Sequence, residues 1–136
     1  MANYDNIDNW KKAVEKKLEK VKRTFAFGLY NKIVEKTPVD TGRAKCNWNV
    51  CINKQDSTTN NEYTKKDLAS RIKEAAGILE QQGKVEDVIY ISNNLPYIEA
   101  LEHGHSQQAP AGMVGVTLVN AQNILNASVE AVNRKG

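Results

Sequence analysis

Asn93-Asn94-Leu95-Pro96-Tyr97-Ile98-Glu99-Ala100-Leu101-Glu102-His103-Gly104-His105-Ser106-Gln107-Gln108-Ala109-Pro110-Ala111-Gly112-Met113-Val114 joins a β-branched run to a long helical pattern. Two prolines and two glycines constrain its backbone. Pro96 opens a short helical turn, Tyr97 to His103, because a missing N–H costs nothing at a helix start. Gly104 closes the turn, as the residue that reaches positive φ cheaply. Pro110 opens the final helix in the same way. Tyr97, Ile98 and Leu101 are spaced to give the turn one apolar side, with Glu99 and Glu102 facing out. So short a turn does not hold by itself and must pack on something.

Downstream, Val114, Leu118, Ala121, Leu125, Val129 and Val132 recur at helical spacing and define a closing helix. Upstream, Val85 to Ser92 alternates as a strand, with Ile89 and Ile91 opposed to Val88 and Tyr90. Thr64-Lys65-Lys66-Asp67 has the form of a capping box, opening a helix to about Gln82 that Gly83 stops. Its apolar face is Leu68, Ile72, Ala75, Ala76 and Leu79. The polar stretch Asn53 to Tyr63 predicts a mobile loop or hairpin tip. Arg43 to Asn53 predicts a half-buried strand, with Ala44, Cys46, Trp48, Val50 and Ile52 inward. Ile7 to Lys36 predicts one long amphipathic helix with Ile7, Trp10, Val14, Leu18, Val21, Phe25, Leu29 and Ile33 on one face. Thr37-Pro38 ends it. Gly28 costs it about 1 kcal/mol against alanine, unless its lack of a side chain lets another backbone approach closely.

These elements predict a single domain over 1–136 of the α+β class. A long N-terminal helix and a small antiparallel sheet with a middle helix come first. A C-terminal helix then packs on the sheet. The 136 residues are enough to bury a sizeable core, and 40% hydrophobic with 26% charged residues is ordinary for a globular protein. The first residues have neither the basic nor the apolar region of a secretory signal. No apolar run approaches the ~20 residues of a membrane span.

The formal charge of +3 is too small to argue for a polyanion partner, but its distribution is uneven. Lys12, Lys16, Lys20 and Arg23 form a cationic line on the first helix, opposite the Leu18 stripe. Like charges at that spacing repel, with Glu19 offsetting Arg23. The line is either a solvated surface or a face turned toward DNA. Asp40-Thr41-Gly42 matches the catalytic tripeptide of aspartic proteases, which must be buried among apolar strands. Here Arg43 follows, which would keep the carboxylate ionised, and a turn explains the tripeptide better. His103 and His105, with Glu99 and Glu102, offer ligand-compatible spacing but no motif that supplies a full set. A polar cap by an imidazole is the simpler reading. Cys46 and Cys51 point to opposite faces of the predicted strand and read as packing residues.

Two blocks of this sequence resemble the neck proteins of long-tailed bacteriophages, the small head–tail joining or tail-completion family. The first is Thr37, Pro38, Val39, Asp40, Thr41, Gly42 and Arg43 with Trp48 soon after. The second, about fifty residues on, is Asn93, Pro96, Tyr97, Leu101, Glu102, Gly104, His105 and Ser106, then Gln108, Ala109, Pro110, Gly112, Met113 and Val114. The resemblance implies a virion protein without enzymatic activity or cofactor, made in the host cytoplasm. It implies a homo-oligomeric ring that joins the head connector to the tail, with DNA passing through it. Its partners would be connector or adaptor proteins and the tail terminator or tail tube. A position at the tail terminus is the nearest alternative. A DNA-binding module using the basic helix, or a hydrolase using Asp40, would be another class of protein.

Overall fold

The computed structural model describes residues 4–39, 41–82, 84–104 and 112–135. The chain runs α1 (Tyr4–Lys36), α2 (Arg43–Cys46), β1 (Asn49–Ile52), a 3-10 turn (Lys65–Asp67), α3 (Leu68–Gln82), β2 (Ile89–Ser92), α4 (Ile98–Glu102), α5 (Val114–Val119) and α6 (Ala121–Arg134). The class is α+β, as the hydrophobic patterning predicts. β1 and β2 pair antiparallel, Val50 opposite Ile91 and Ile52 opposite Ile89. Paired residues share a face, so these four side chains point together into the core with Tyr30, Val34, Trp48, Leu79 and Met113.

The capping box forms as written, with the Thr64 N–H donating to Asp67 Oδ2 at 2.9 Å and Lys66 N–H to Thr64 Oγ1 at 3.4 Å. The face of α3 is also as expected, with Ala75 and Leu79 buried. α6 lies along α1, where Gly28 admits it: a Cβ there would stand 2.7 Å from Ile124 Cγ2. The close neighbour is thus a side chain and not a backbone.

Several expectations are corrected. The predicted strand from Arg43 begins only at Asn49, because Gly42 turns the chain into the single helical turn of α2. Ala44, Cys46, Trp48 and Val50 are nevertheless all buried. Alternation does not separate a strand from one helical turn with an extended exit. Cys46 therefore sits on a helix and Cys51 on a strand, and both are free thiols.

The second strand begins at Ile89 and not Val85. Residues 84–87 form a turn, held by Asp87 Oδ2 accepting from Lys84 N–H at 2.9 Å. Lys22 of α1 reaches it too, donating to the carbonyls of Lys84, Val85 and Asp87.

The stretch 53–63 is strapped down rather than left as a free tip. Asn47, only 2% exposed, donates to Asn60 O and accepts from Asn60 N–H, while Asn94 donates to Asp56 O and Thr58 O.

The closing helix is broken at Asn120 into α5 and α6. Its buried positions are Thr117, Ser128 and Val132, while Leu118 is 63% exposed and Val129 38%. The serine and threonine hydroxyls are satisfied within the helices, by Ile124 O and Met113 O, and so tolerate burial.

The largest departure concerns α1. Its body-facing residues are Ala26, Tyr30, Ile33 and Val34, followed by Thr37 just after the helix. At 100° per residue they centre roughly a third of a turn from the predicted stripe, of which only Ile33 is buried as expected. Ile7, Trp10, Val14 and Leu18 are 56%, 68%, 37% and 51% exposed. Every residue from Asn6 to Leu18 is exposed, so this half of the helix stands off the body as an arm.

Candidate functional site: the junction of the two sequence blocks

The two blocks, separated along the chain, close on one another in space. Thr37 caps the end of α1, its hydroxyl donating to Ile33 O at 2.6 Å and accepting from Trp48 Nε1 at 2.9 Å. Pro38 and Val39 lead away from it. Thr41 and Gly42 then make the turn predicted for the tripeptide: Arg43 N–H meets Thr41 Oγ1 at 3.2 Å, and Gly42 takes φ +92°. Arg43 is thereby aimed at the second block. Its Nε donates to the Tyr97 hydroxyl at 2.9 Å, and its guanidinium lies 5.1 Å from the centre of that ring. Asn93 completes the seam, donating from Nδ2 to Ala44 O at 3.0 Å.

Within the second block the short turn forms as α4. Ile98 and Leu101 pack on the core and Gly104 closes it at φ +83°. Glu99 is exposed as expected, but Glu102 does not face solvent freely. Its carboxylate accepts the N–H groups of Met113 at 3.0 Å, Val114 at 2.8 Å and Gly115 at 2.9 Å, which are orphan donors at the start of α5. Gly112, at φ +83°, leaves room for this: a Cβ there would stand 2.5 Å from Glu102 Oε2. Met113 is fully buried behind it.

Burial raises the Glu102 pKa, but the N–H groups of Val114, Gly115 and Met113 outweigh it and hold the carboxyl below its ordinary value. A depressed folded pKa gives stability that is present above the unfolded value and lost as pH falls through the folded one. Glu102→Ala is expected to cost about 1 kcal/mol, as for loss of a helix cap. It should also flatten the acid limb of the stability profile. Thermal unfolding across the acid range checks both, and an unchanged acid limb would refute the role given to this carboxylate.

Asp40, His105, Ser106, Gln108, Ala109 and Pro110 lie outside the described residues. His103 ends α4 and is exposed, its N–H bonded to Glu99 O. Among the described residues no three His, Cys, Asp or Glu side chains converge as metal ligands. On α1, Lys12, Lys16 and Lys20 are exposed, and Arg23 is 3.9 Å from Glu19. Lys20 and Arg23 rim a groove floored by Phe27, Leu79 and Val132.

The chain matches no protein-family model, no curated protein and no solved structure.

Arg71, which no motif marks, stitches the first block to α3. Its Nε donates to Cys46 O at 2.9 Å, an NH2 group to Trp48 O at 3.3 Å, and its guanidinium lies 5.1 Å from the Tyr63 ring centre. It also pairs with Glu74 one turn on. Only that Arg71–Glu74 spacing is visible locally; the carbonyl acceptors lie more than twenty residues away in sequence.

Proposed function

We propose that this chain is a structural protein of the neck of a long-tailed bacteriophage. In this role it forms an oligomeric ring that joins the head connector to the tail and lets DNA pass. The observation that carries the reading is the seam between the two blocks. The residues on which the resemblance rests, Thr37, Gly42, Arg43, Trp48, Tyr97, Glu102, Gly112 and Met113, are engaged with one another or fix the backbone that lets them meet. A mostly buried seam of this kind holds the body rigid, and the docking surface would be the exposed groups that it positions. Its contacts among the described residues are aromatic, backbone and packing contacts, the kind that hold an assembling part in shape. The neighbours are connector or adaptor proteins on one side and the tail terminator or tube on the other.

The exposed Lys12, Lys16 and Lys20 suit a lumen that meets the genome without reading it. The test is reconstitution. Heads and tails that accumulate unjoined without this protein should form infectious particles when it is added. Binding of the assembled ring to duplex DNA should weaken with salt, with a shallower slope for Lys12→Gln/Lys16→Gln. Joining that proceeds equally well without the protein refutes the neck role. An unchanged slope refutes only the DNA-facing line.

A further inference from the structure

We infer that the exposed stripe of the α1 arm is an interface for a second copy of the chain, the two arms packing antiparallel. This stands apart from the neck reading, because it rests on the arm alone. Ile7, Trp10, Val14, Leu18, Val21, Phe25 and Leu29 follow one another at steps of 3, 4, 4, 3, 4 and 4. That is an 11-residue repeat, which keeps a seam nearly straight along a helix. The molecule's own core uses another face, through Ala26, Tyr30, Ile33 and Val34. From Ile7 to Leu18 the stripe is thus spare, whereas Val21, Phe25 and Leu29 are partly buried. A run as short as residues 6–18, with lysines repelling along it, is marginal as a free helix. Covering its apolar side would hold it.

The charges choose the occupant and its direction. From Tyr4 to Glu15 three acids stand against two lysines, and from Lys16 to Arg23 five bases stand against one glutamate. Parallel arms would lay basic half on basic half. Antiparallel arms lay basic half on acidic half and oppose the helix dipoles. The stripe is self-complementary in that register: Ile7 faces the second copy's Leu18, and Trp10 its Val14. Lys11 and Glu15 flank the stripe on the same side, so each Lys11 meets the other copy's Glu15, twice per pair.

The four exposed side chains offer roughly 400–500 Å² per copy, below the standard size of a stable interface. The dimer is therefore expected to be weak, with Kd of about 10–100 µM. Such a twofold contact closes on itself and gives a dimer, so a ring would use other faces.

Sedimentation equilibrium of the full chain across that concentration range tests this. The wild type should pass from monomer to dimer. Trp10→Glu should raise Kd at least tenfold while leaving the unfolding midpoint of the body unchanged. Lys11→Glu should weaken association, and Lys11→Glu/Glu15→Lys should restore it. A wild type that stays monomeric at millimolar concentration, or one that associates equally with Trp10→Glu, overturns the interface. A charge swap that fails to restore association overturns the antiparallel register.

Discussion

Trp48→Ala is expected to lose about 3–5 kcal/mol, a large part of the roughly 5–15 kcal/mol that holds an ordinary domain folded. The indole is 5% exposed and lies in the core with Tyr30, Val34, Val50 and Leu79. Truncation leaves a cavity that two helices and a sheet cannot easily collapse into. It also removes the Nε1 donor from Thr37 Oγ1, which ties α1 to the head of β1. Trp48→Phe separates the two effects. It keeps most of the buried surface while losing the hydrogen bond, and should cost about 1–2 kcal/mol. Urea midpoints at constant m give both values. A Trp48→Ala loss below 1 kcal/mol would mean the residue does not anchor the junction.

Gly42→Ala is expected to cost about 3 kcal/mol although it adds one methyl group. The residue stands at φ +92°, where a Cβ is strained whatever the space around it. That Cβ would also lie 2.5 Å from Lys65 N and 2.8 Å from Lys65 Cα. Both are backbone atoms, and Lys65 N–H is itself bonded to Thr41 O at 3.0 Å. Relief requires breaking that bond and moving the capping box at Thr64. Gly77→Ala is the control: it lies within α3 with nothing within 4 Å of a new Cβ, and should gain about 0.5–1 kcal/mol from helix propensity. Chemical denaturation of the pair should show opposite signs. Equal shifts would refute the close approach at Gly42.

The sequence made α3, its capping box, the Gly104 stop and the inward Trp48 legible because each follows from neighbours within one or two turns. Gly42 was legible too, since a turn after Pro38 needs a residue free to take positive φ. Glu102 was misread as outward. Its partners, Met113 to Gly115, lie eleven to thirteen residues on, beyond the reach of any cap motif. Arg71 was missed for the same reason, its acceptors being carbonyls that carry no sequence signature. The α1 stripe was a different failure. Its periodicity is real, but periodicity reports that a face is apolar and not which body covers it. Inside the protomer, α6 packs on α1 at the bare Gly28, while Ala26, Tyr30 and Val34 on the far side of the helix face the core.

The packing of α6 along α1 sets a timetable for synthesis. α1 leaves the ribosome first, and the helix that covers Gly28 through Ile124 is made about 90 residues later, an interval of roughly 5–20 s. Through that interval the face of Tyr30, Ile33 and Val34 has no completed core, and the apolar arm is already out. A nascent chain of this design carries an unfilled Tyr30 face until Met113 has been made, and the stripe of its arm stays exposed even in the finished fold.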